Sequence, residues 1–80
     1  MKTEAIKDQN IILGESDHVI ERNRKILEML ANDKRPQEIA KELYVGIWTV
    51  RGSIQRMIEN NGYHSVAGLI AAALRKKLIY

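Results

Sequence analysis

The side chains best suited to recognition chemistry in this sequence are a guanidinium group and an amide on one predicted helix. Arg51 and Gln55 are four residues apart, so a helix presents both on the same side. A guanidinium can donate two hydrogen bonds to the edge of guanine, and a glutamine amide can pair in the same way with adenine. Thr49 and the backbone amides near the start of that helix could hold a phosphate. These groups fit a ligand that offers both base edges and phosphates.

The sequence is poor in the residues that other site chemistries need. It contains no cysteine, which excludes disulfides and thiolate metal sites, and His18 and His64 have no companions at ligand spacing. Glu38 and Glu42 lie one turn apart on a predicted solvated face, and a helical chain of 80 residues has little room for a deep cleft. We therefore expect no metal, no cofactor, no small-molecule site and no enzymatic activity in this chain.

Positive charge accumulates toward the C-terminal end of the chain. The formal net charge is +3, but residues 46–80 carry five cations against the single acid Glu59, a balance of +4. A basic region suits a polyanionic partner, although a solvated basic surface would show the same pattern. The charge distribution by itself does not separate these two interpretations.

Four amphipathic segments must position these side chains, and their periodicity predicts an all-α fold. Candidate caps and breaks bound each segment, including Ser65 before the last one. The predicted helices run from Ser16 or Asp17 to about Ala31, from Pro36 for about two turns, from about Ile47 to Asn60, and from Val66 to about Leu78.

The third predicted helix has two distinct sides. Its inner stripe is apolar and consists of Ile47, Val50, Ile54, Met57 and Ile58. Its outer face consists of Trp48, Arg51, Gly52, Gln55, Arg56 and Glu59. A short helix, a tight connection and an amphipathic second helix describe a helix-turn-helix, in which one side packs on the core and the other side fits the major groove.

We divide the chain into residues 1–15 and residues 16–80. The first range shows no sustained period, and we interpret it as a flexible lead-in, a segment that docks on the core, or a linker. The second range is the predicted helical domain. No stretch approaches the roughly 20 apolar residues of a membrane span, and the first ten residues do not have the pattern of a signal peptide. The expected compartment is the cytoplasm.

Residues 19–79 resemble the LuxR-type (GerE-like) helix-turn-helix family. The likeness lies in the spacing of several short pieces and continues into an alanine-rich last helix. These pieces are Arg22–Ala31, Glu38–Leu43, Val45, Thr49–Arg51, Gly62 and Ser65. The resemblance implies a four-helix module, here with an N-terminal extension, whose third helix enters the major groove of double-stranded DNA. It also implies that the fourth helix pairs two copies of the chain.

The resemblance assigns roles residue by residue. Base contacts fall on Arg51, Gly52 and Gln55, and contacts to the DNA backbone fall near Thr49, Arg56 and His64. The dimer contacts that it implies on the last helix are Leu69, Ala72, Ala73 and Lys76. This chain departs from the family pattern at Arg35, Gly46, Ser53 and Asn60-Asn61, and Gly52 lies inside the recognition helix.

Trp48 divides the functional hypotheses. Its ring could fold back against Tyr44 or the second helix, contact a thymine methyl group or a sugar, or anchor a protein partner. We expect a DNA-binding transcriptional regulator that acts as a homodimer, lies in the cytoplasm and associates with the nucleoid when bound. The alternative is a protein-interaction module that keeps the fold and binds its partner through the Trp48 face.

Overall fold

The computed structural model describes Gly14 and residues 16–80. Within this range all regular secondary structure is α-helical, and no strand occurs in it. The four helices are α1 (Asp17–Ala31), α2 (Pro36–Leu43), α3 (Ile47–Asn61) and α4 (Val66–Arg75). The predicted all-α class and the four helices are confirmed. The predicted lead-in over residues 1–15 lies outside the described residues, apart from Gly14.

The helix starts use three different solutions for their unpaired backbone amides. Ser16 and Ser65 are the N-caps of α1 and α4, and each hydroxyl oxygen accepts from the backbone N–H three residues later. At α2 the Glu38 carboxylate accepts from the backbone N–H of Arg35 at 2.8 Å, which is one half of a capping box. Gly46 begins α3 without a side-chain cap, so that helix start stays open to a ligand.

All four helices end in the same backbone pattern. One residue adopts the left-handed conformation, and the N–H of the next residue donates to the carbonyl oxygen five residues earlier. A glycine adopts this conformation without a steric cost, whereas other residues are disfavoured there. The left-handed residues are Asp33, Tyr44, Gly62 and Lys77. Three of the four helix ends therefore carry a strained non-glycine residue.

The predicted end of the last helix at about Leu78 is wrong, because α4 ends at Arg75. Lys77 adopts φ 60°, and the N–H of Leu78 donates to the carbonyl oxygen of Ala73 at 2.9 Å. This turn sends the chain back toward the core, where the Ile79 side chain is 1% exposed. The apolar tail after the helix belongs to the core and does not extend the helix.

Two adjoining apolar clusters form the core. The first joins α1, α2 and α3, and its buried members are Ile26, Ile39, Ala40, Val50 and Ile54. The second joins α1, α3, α4 and the tail, and its buried members are Leu27, Met57, Leu69, Ala73 and Ile79. The partly buried Leu30 and Ile58 pack against both clusters. Since α3 contributes to each cluster, its rotation about its own axis is determined from two sides.

Candidate nucleic-acid interface

The connection between α2 and α3 is three residues long and determines where α3 begins. Tyr44 is left-handed, and the N–H of Val45 donates to the carbonyl oxygen of Ala40 at 3.0 Å. Val45 and Ile47 then pack against the first core cluster. The α2–α3 pair therefore has the order of elements of a helix-turn-helix, which is two helices joined by a short turn.

The first turn of α3 is open. The carbonyl oxygen of Gly46 accepts from the N–H groups of Thr49 and Val50, whereas the first amides of any helix have no partner within it. A Cβ atom placed on Gly46 would meet nothing within 4 Å. No side chain caps these amides and nothing crowds the Cβ position of Gly46, so this helix N-terminus has room for an anion.

The outward side of α3 is the side that the sequence predicts. Val50, Ile54 and Met57 are buried, whereas Arg51 and Gln55 are exposed. We define the α3 outer face as Trp48, Arg51, Gly52, Gln55 and Glu59, of which all but the half-buried Gly52 are exposed. The two side chains expected to contact bases therefore share one accessible surface.

Two contacts modify the chemistry of the α3 outer face. The Gln55 amide donates to a Glu59 carboxylate oxygen at 3.0 Å, so one of its two N–H donors already has a partner on the helix. A Cβ atom built on Gly52 would lie 3.7 and 3.8 Å from the guanidinium nitrogens of Arg56. The charge of Arg56 therefore lies beside Gly52, one turn toward the start of α3. A positive and a negative side chain thus lie along the same side of α3.

Sequence reasoning also missed a side-chain contact on the inner side of α3. Ser53 is 2% exposed, and Arg22 Nη2 of α1 donates to its hydroxyl oxygen at 3.3 Å. In the sequence Ser53 attracted notice only as a departure from the family pattern. The signal available was its place next to Ile54 on the inner side of α3, where a polar residue needs a partner. Arg22 positions α3 and does not itself lie on the α3 outer face.

The remaining residues expected to contact the DNA backbone are dispersed. Thr49 is half-buried in the first turn of α3, and Arg56 is exposed beside Gly52. His64 is exposed in the connection before α4. None of the hydrogen bonds or ion pairs described for residues 16–80 joins His64 to the α3 outer face.

Three of the four residues predicted for the dimer contact lie in the core of the chain. The side chains of Leu69, Ala72 and Ala73 are fully buried inside the chain, because α4 turns this side toward α1 and α3. Only Lys76 of the predicted set is exposed. The apolar side of α4 that does face outward consists of Ala67, Ala71 and Leu74, which we call the α4 outer stripe.

Of the three alternatives for Trp48, the one in which its ring folds back against Tyr44 or α2 is wrong. Trp48 is 80% exposed and Tyr44 is 94% exposed, so neither ring covers the other. Both rings lie at the beginning of α3, beside its open first turn. An aromatic surface of this kind provides apolar contact area to a partner, whether nucleic acid or protein.

Other kinds of site find no support in residues 16–80. No group of three or more histidine or acidic side chains has the spacing to bind a metal ion there. None of the helices in the described range is both long enough and apolar enough to span a membrane. Comparison with family models, with curated proteins and with solved structures found no match to this chain.

Proposed function

We propose that this chain is a DNA-binding transcriptional regulator, or the DNA-binding part of one, whose α3 helix lies in the major groove. The observation that supports this most directly is the α3 outer face. It is an exposed surface with a guanidinium and an amide four residues apart, on a helix whose opposite side is held in the core. The proposal requires no catalysis and no cofactor, and it assigns the protein to the cytoplasm and, when bound, to the nucleoid.

The dimensions of a helix suit this role. An α-helix with its side chains is about 10–12 Å across, and the major groove is about 12 Å wide. Arg51 can donate to both acceptors of a guanine, and Gln55 can pair with adenine through its carbonyl oxygen and an N–H group. Since α3 packs against both core clusters, these side chains are presented without a rearrangement of the backbone.

Contacts to phosphates would determine how the helix is seated. The open amides of the first turn of α3 supply donors, and the half-buried Thr49 adds a hydroxyl group beside them. Arg56 adds a full positive charge near the middle of the face. Glu59 works against these groups because its carboxylate would repel a neighbouring phosphate. We therefore expect moderate affinity for one copy and a need for a second copy on the DNA.

The α4 outer stripe is the surface that we propose for pairing two copies. Its members are spaced by four and three residues and point away from the core, so the same stripe of a second copy can pack against it. For two α3 helices to enter successive turns of the major groove, such a pair must hold them about one helical turn of DNA apart, near 34–36 Å. This version of the dimer uses none of the buried alanine and leucine side chains of α4.

A salt titration of duplex binding tests the proposal. We expect binding of a labelled DNA duplex, measured by fluorescence anisotropy, to weaken steeply as salt rises. Each phosphate neutralised contributes about −0.9 to the slope of log K against log salt. A single-stranded oligonucleotide of the same sequence is the control and should compete poorly. If no duplex shows salt-dependent binding, the proposed function is wrong.

A second candidate function is a protein-interaction module that binds through the Trp48 face. The exposed Trp48 and Tyr44 favour it, as does the Gln55–Glu59 hydrogen bond, which occupies a base-reading side chain. It predicts that Trp48→Ala abolishes a protein complex. The affinity for DNA should be negligible in the native protein and in the variant alike. Chemical-shift mapping with duplex DNA and with a purified partner would distinguish the two functions.

A further inference from the structure

Trp48 is the largest exposed apolar side chain of α3, and the contacts of the folded chain do not account for its position. It is 80% exposed on the second residue of the helix. A heptad drifts by only about 20° around a helix, so Trp48 and Gln55 point in nearly the same direction. Arg51 lies between them along the axis. The indole ring is therefore part of the surface that carries both base-reading side chains.

We propose that Trp48 determines sequence preference by packing its indole ring against the C5-methyl group of a thymine in the major groove. This inference depends on the proposed DNA-binding function and adds a second readable position to it. Among the four bases, thymine alone presents a methyl group on the major-groove edge. An exposed indole offers a broad apolar face and a single N–H donor. Its chemistry suits a methyl group better than the polar base edges that Arg51 and Gln55 can read.

The spacing of Trp48 and Arg51 predicts the arrangement of the bases. Three residues of helix span about 4.5 Å along the axis, and base pairs along B-DNA are about 3.4 Å apart. In helix-turn-helix proteins the N-terminal residues of the recognition helix approach the base edges. The thymine should therefore lie on the base pair next to the one whose guanine Arg51 bonds.

Tyr44 provides a matched comparison within the same structure. It is the other strongly exposed aromatic residue near this end of α3, at 94%, but it belongs to the turn before the helix. Its ring therefore lies outside the stripe that Trp48, Arg51 and Gln55 form. A general aromatic contact to DNA would involve both residues, whereas reading of a thymine requires Trp48 alone.

The test replaces thymine by deoxyuridine, which removes the methyl group and leaves every hydrogen-bonding group in place. A preferred site is first selected from random duplexes, and each thymine in it is then replaced singly. Burial of one such group contributes about 0.8 kcal/mol, which corresponds to about a fourfold change in Kd. We expect the native protein to lose about this much at one thymine beside a guanine. Trp48→Ala should bind more weakly overall and show no loss at that position.

Two controls make the result specific. Tyr44→Asn keeps a residue that tolerates the left-handed conformation and should retain the full loss on the deoxyuridine site. Trp48 is the single tryptophan of the chain, so its fluorescence reports directly on its surroundings and should change when the duplex binds. Because the ring is exposed, Trp48→Ala should fold normally, which a thermal melt verifies.

The possible results have distinct meanings. If the native protein and Trp48→Ala respond equally to every deoxyuridine replacement, the inference is overturned and the DNA-binding function stands. If the duplex binds and the tryptophan emission does not change, the indole faces another partner, and the inference is again overturned. If no duplex binds at all, the proposed function itself fails.

Discussion

The sequence predicts the exposed side of α3 correctly and does not predict the exposed side of α4. On α3 the predicted outer face is exposed, with Arg51 and Gln55 in solvent and Val50 in the core. On α4 the side predicted to contact a second copy is in the core, since Leu69 and Ala73 are fully buried. Helical periodicity therefore predicts the outward side of α3, whereas the family resemblance assigns the dimer contact of α4 to a side that lies in the core.

The difference lies in the contrast between the sides of each helix. On α3 charged and amide side chains alternate with branched apolar ones, so only one rotation of the helix buries the apolar stripe. From Val66 to Leu74 the α4 helix contains only apolar residues and glycine. Alanine fits equally well in a core and on a surface, so periodicity does not define which side faces inward. A uniform helix takes its orientation from its neighbours in the fold.

Replacement of Leu69 by alanine tests the α4 side of this contrast and has the largest expected effect. Removal of a fully buried leucine side chain leaves a cavity, and such changes cost about 2–5 kcal/mol. We expect the free energy of unfolding, measured by urea denaturation, to fall by this amount at every protein concentration. Leu74→Ala is the matched control on the same helix. Leu74 is 45% exposed, so its loss should be much smaller. A destabilisation that disappears at low protein concentration, where two copies would separate, would return Leu69 to the dimer contact.

Replacement of Arg51 by alanine tests the α3 side. Loss of a bidentate contact to guanine should cost about 1–3 kcal/mol on a preferred duplex and relax the preference at that base pair. Lys25→Ala removes an equal charge from the solvent side of α1 and controls for general electrostatics. Both variants are compared by anisotropy at one salt concentration. Equal losses in the two variants would show that Arg51 acts only as a charge.

Substitution of Gly52 tests how the α3 outer face contributes to stability. A Cβ atom at Gly52 would make ordinary contact with the Arg56 guanidinium, at 3.7 Å. Alanine in a helix interior is favoured over glycine by about 0.5–1 kcal/mol. We therefore expect Gly52→Ala to raise Tm by several degrees. Gly62→Ala is the opposing control, because Gly62 has φ 71° and should lose stability although the space around it is open. A lower Tm for Gly52→Ala would contradict the described packing.

Substitution of Leu74 has the smallest expected effect on stability and addresses the α4 outer stripe. Leu74→Lys changes a surface position, where substitutions usually stay within about 0.5 kcal/mol. If the stripe pairs two copies, the introduced charge should shift the protein toward monomer in sedimentation and abolish cooperative binding to a duplex with two half-sites. Unchanged self-association would locate the dimer contact elsewhere.

Much of the fold was predictable because the residues that begin its helices act locally. Ser16 and Ser65 cap their helices as expected from residue type alone. The turn after Arg75 was not predictable, because lysine is an uncommon residue in the left-handed conformation that Lys77 adopts. Nothing in the periodicity indicates that the tail then returns to bury Ile79.

The sequence predicts which side of α3 is exposed, but it does not predict the hydrogen bonds that the side chains near the site make. The exposure of Arg51 and Gln55 follows from the phase of α3. The hydrogen bond between Gln55 and Glu59 and the bond from Arg22 to Ser53 depend on rotamers and on the approach of α1. A sequence pattern contains neither kind of information. Both contacts bear on the proposed recognition, because one engages the amide of Gln55 and the other links α1 to α3.

The left-handed residues at three of the helix ends indicate how this domain could be made more resistant to heat. Asp33, Tyr44 and Lys77 each hold a backbone conformation that glycine adopts at lower cost. None of them belongs to the α3 outer face or the α4 outer stripe. Glycine at these turns would give a more thermostable scaffold for grafting new recognition helices. The α3 outer face and the α4 outer stripe would keep their native residues.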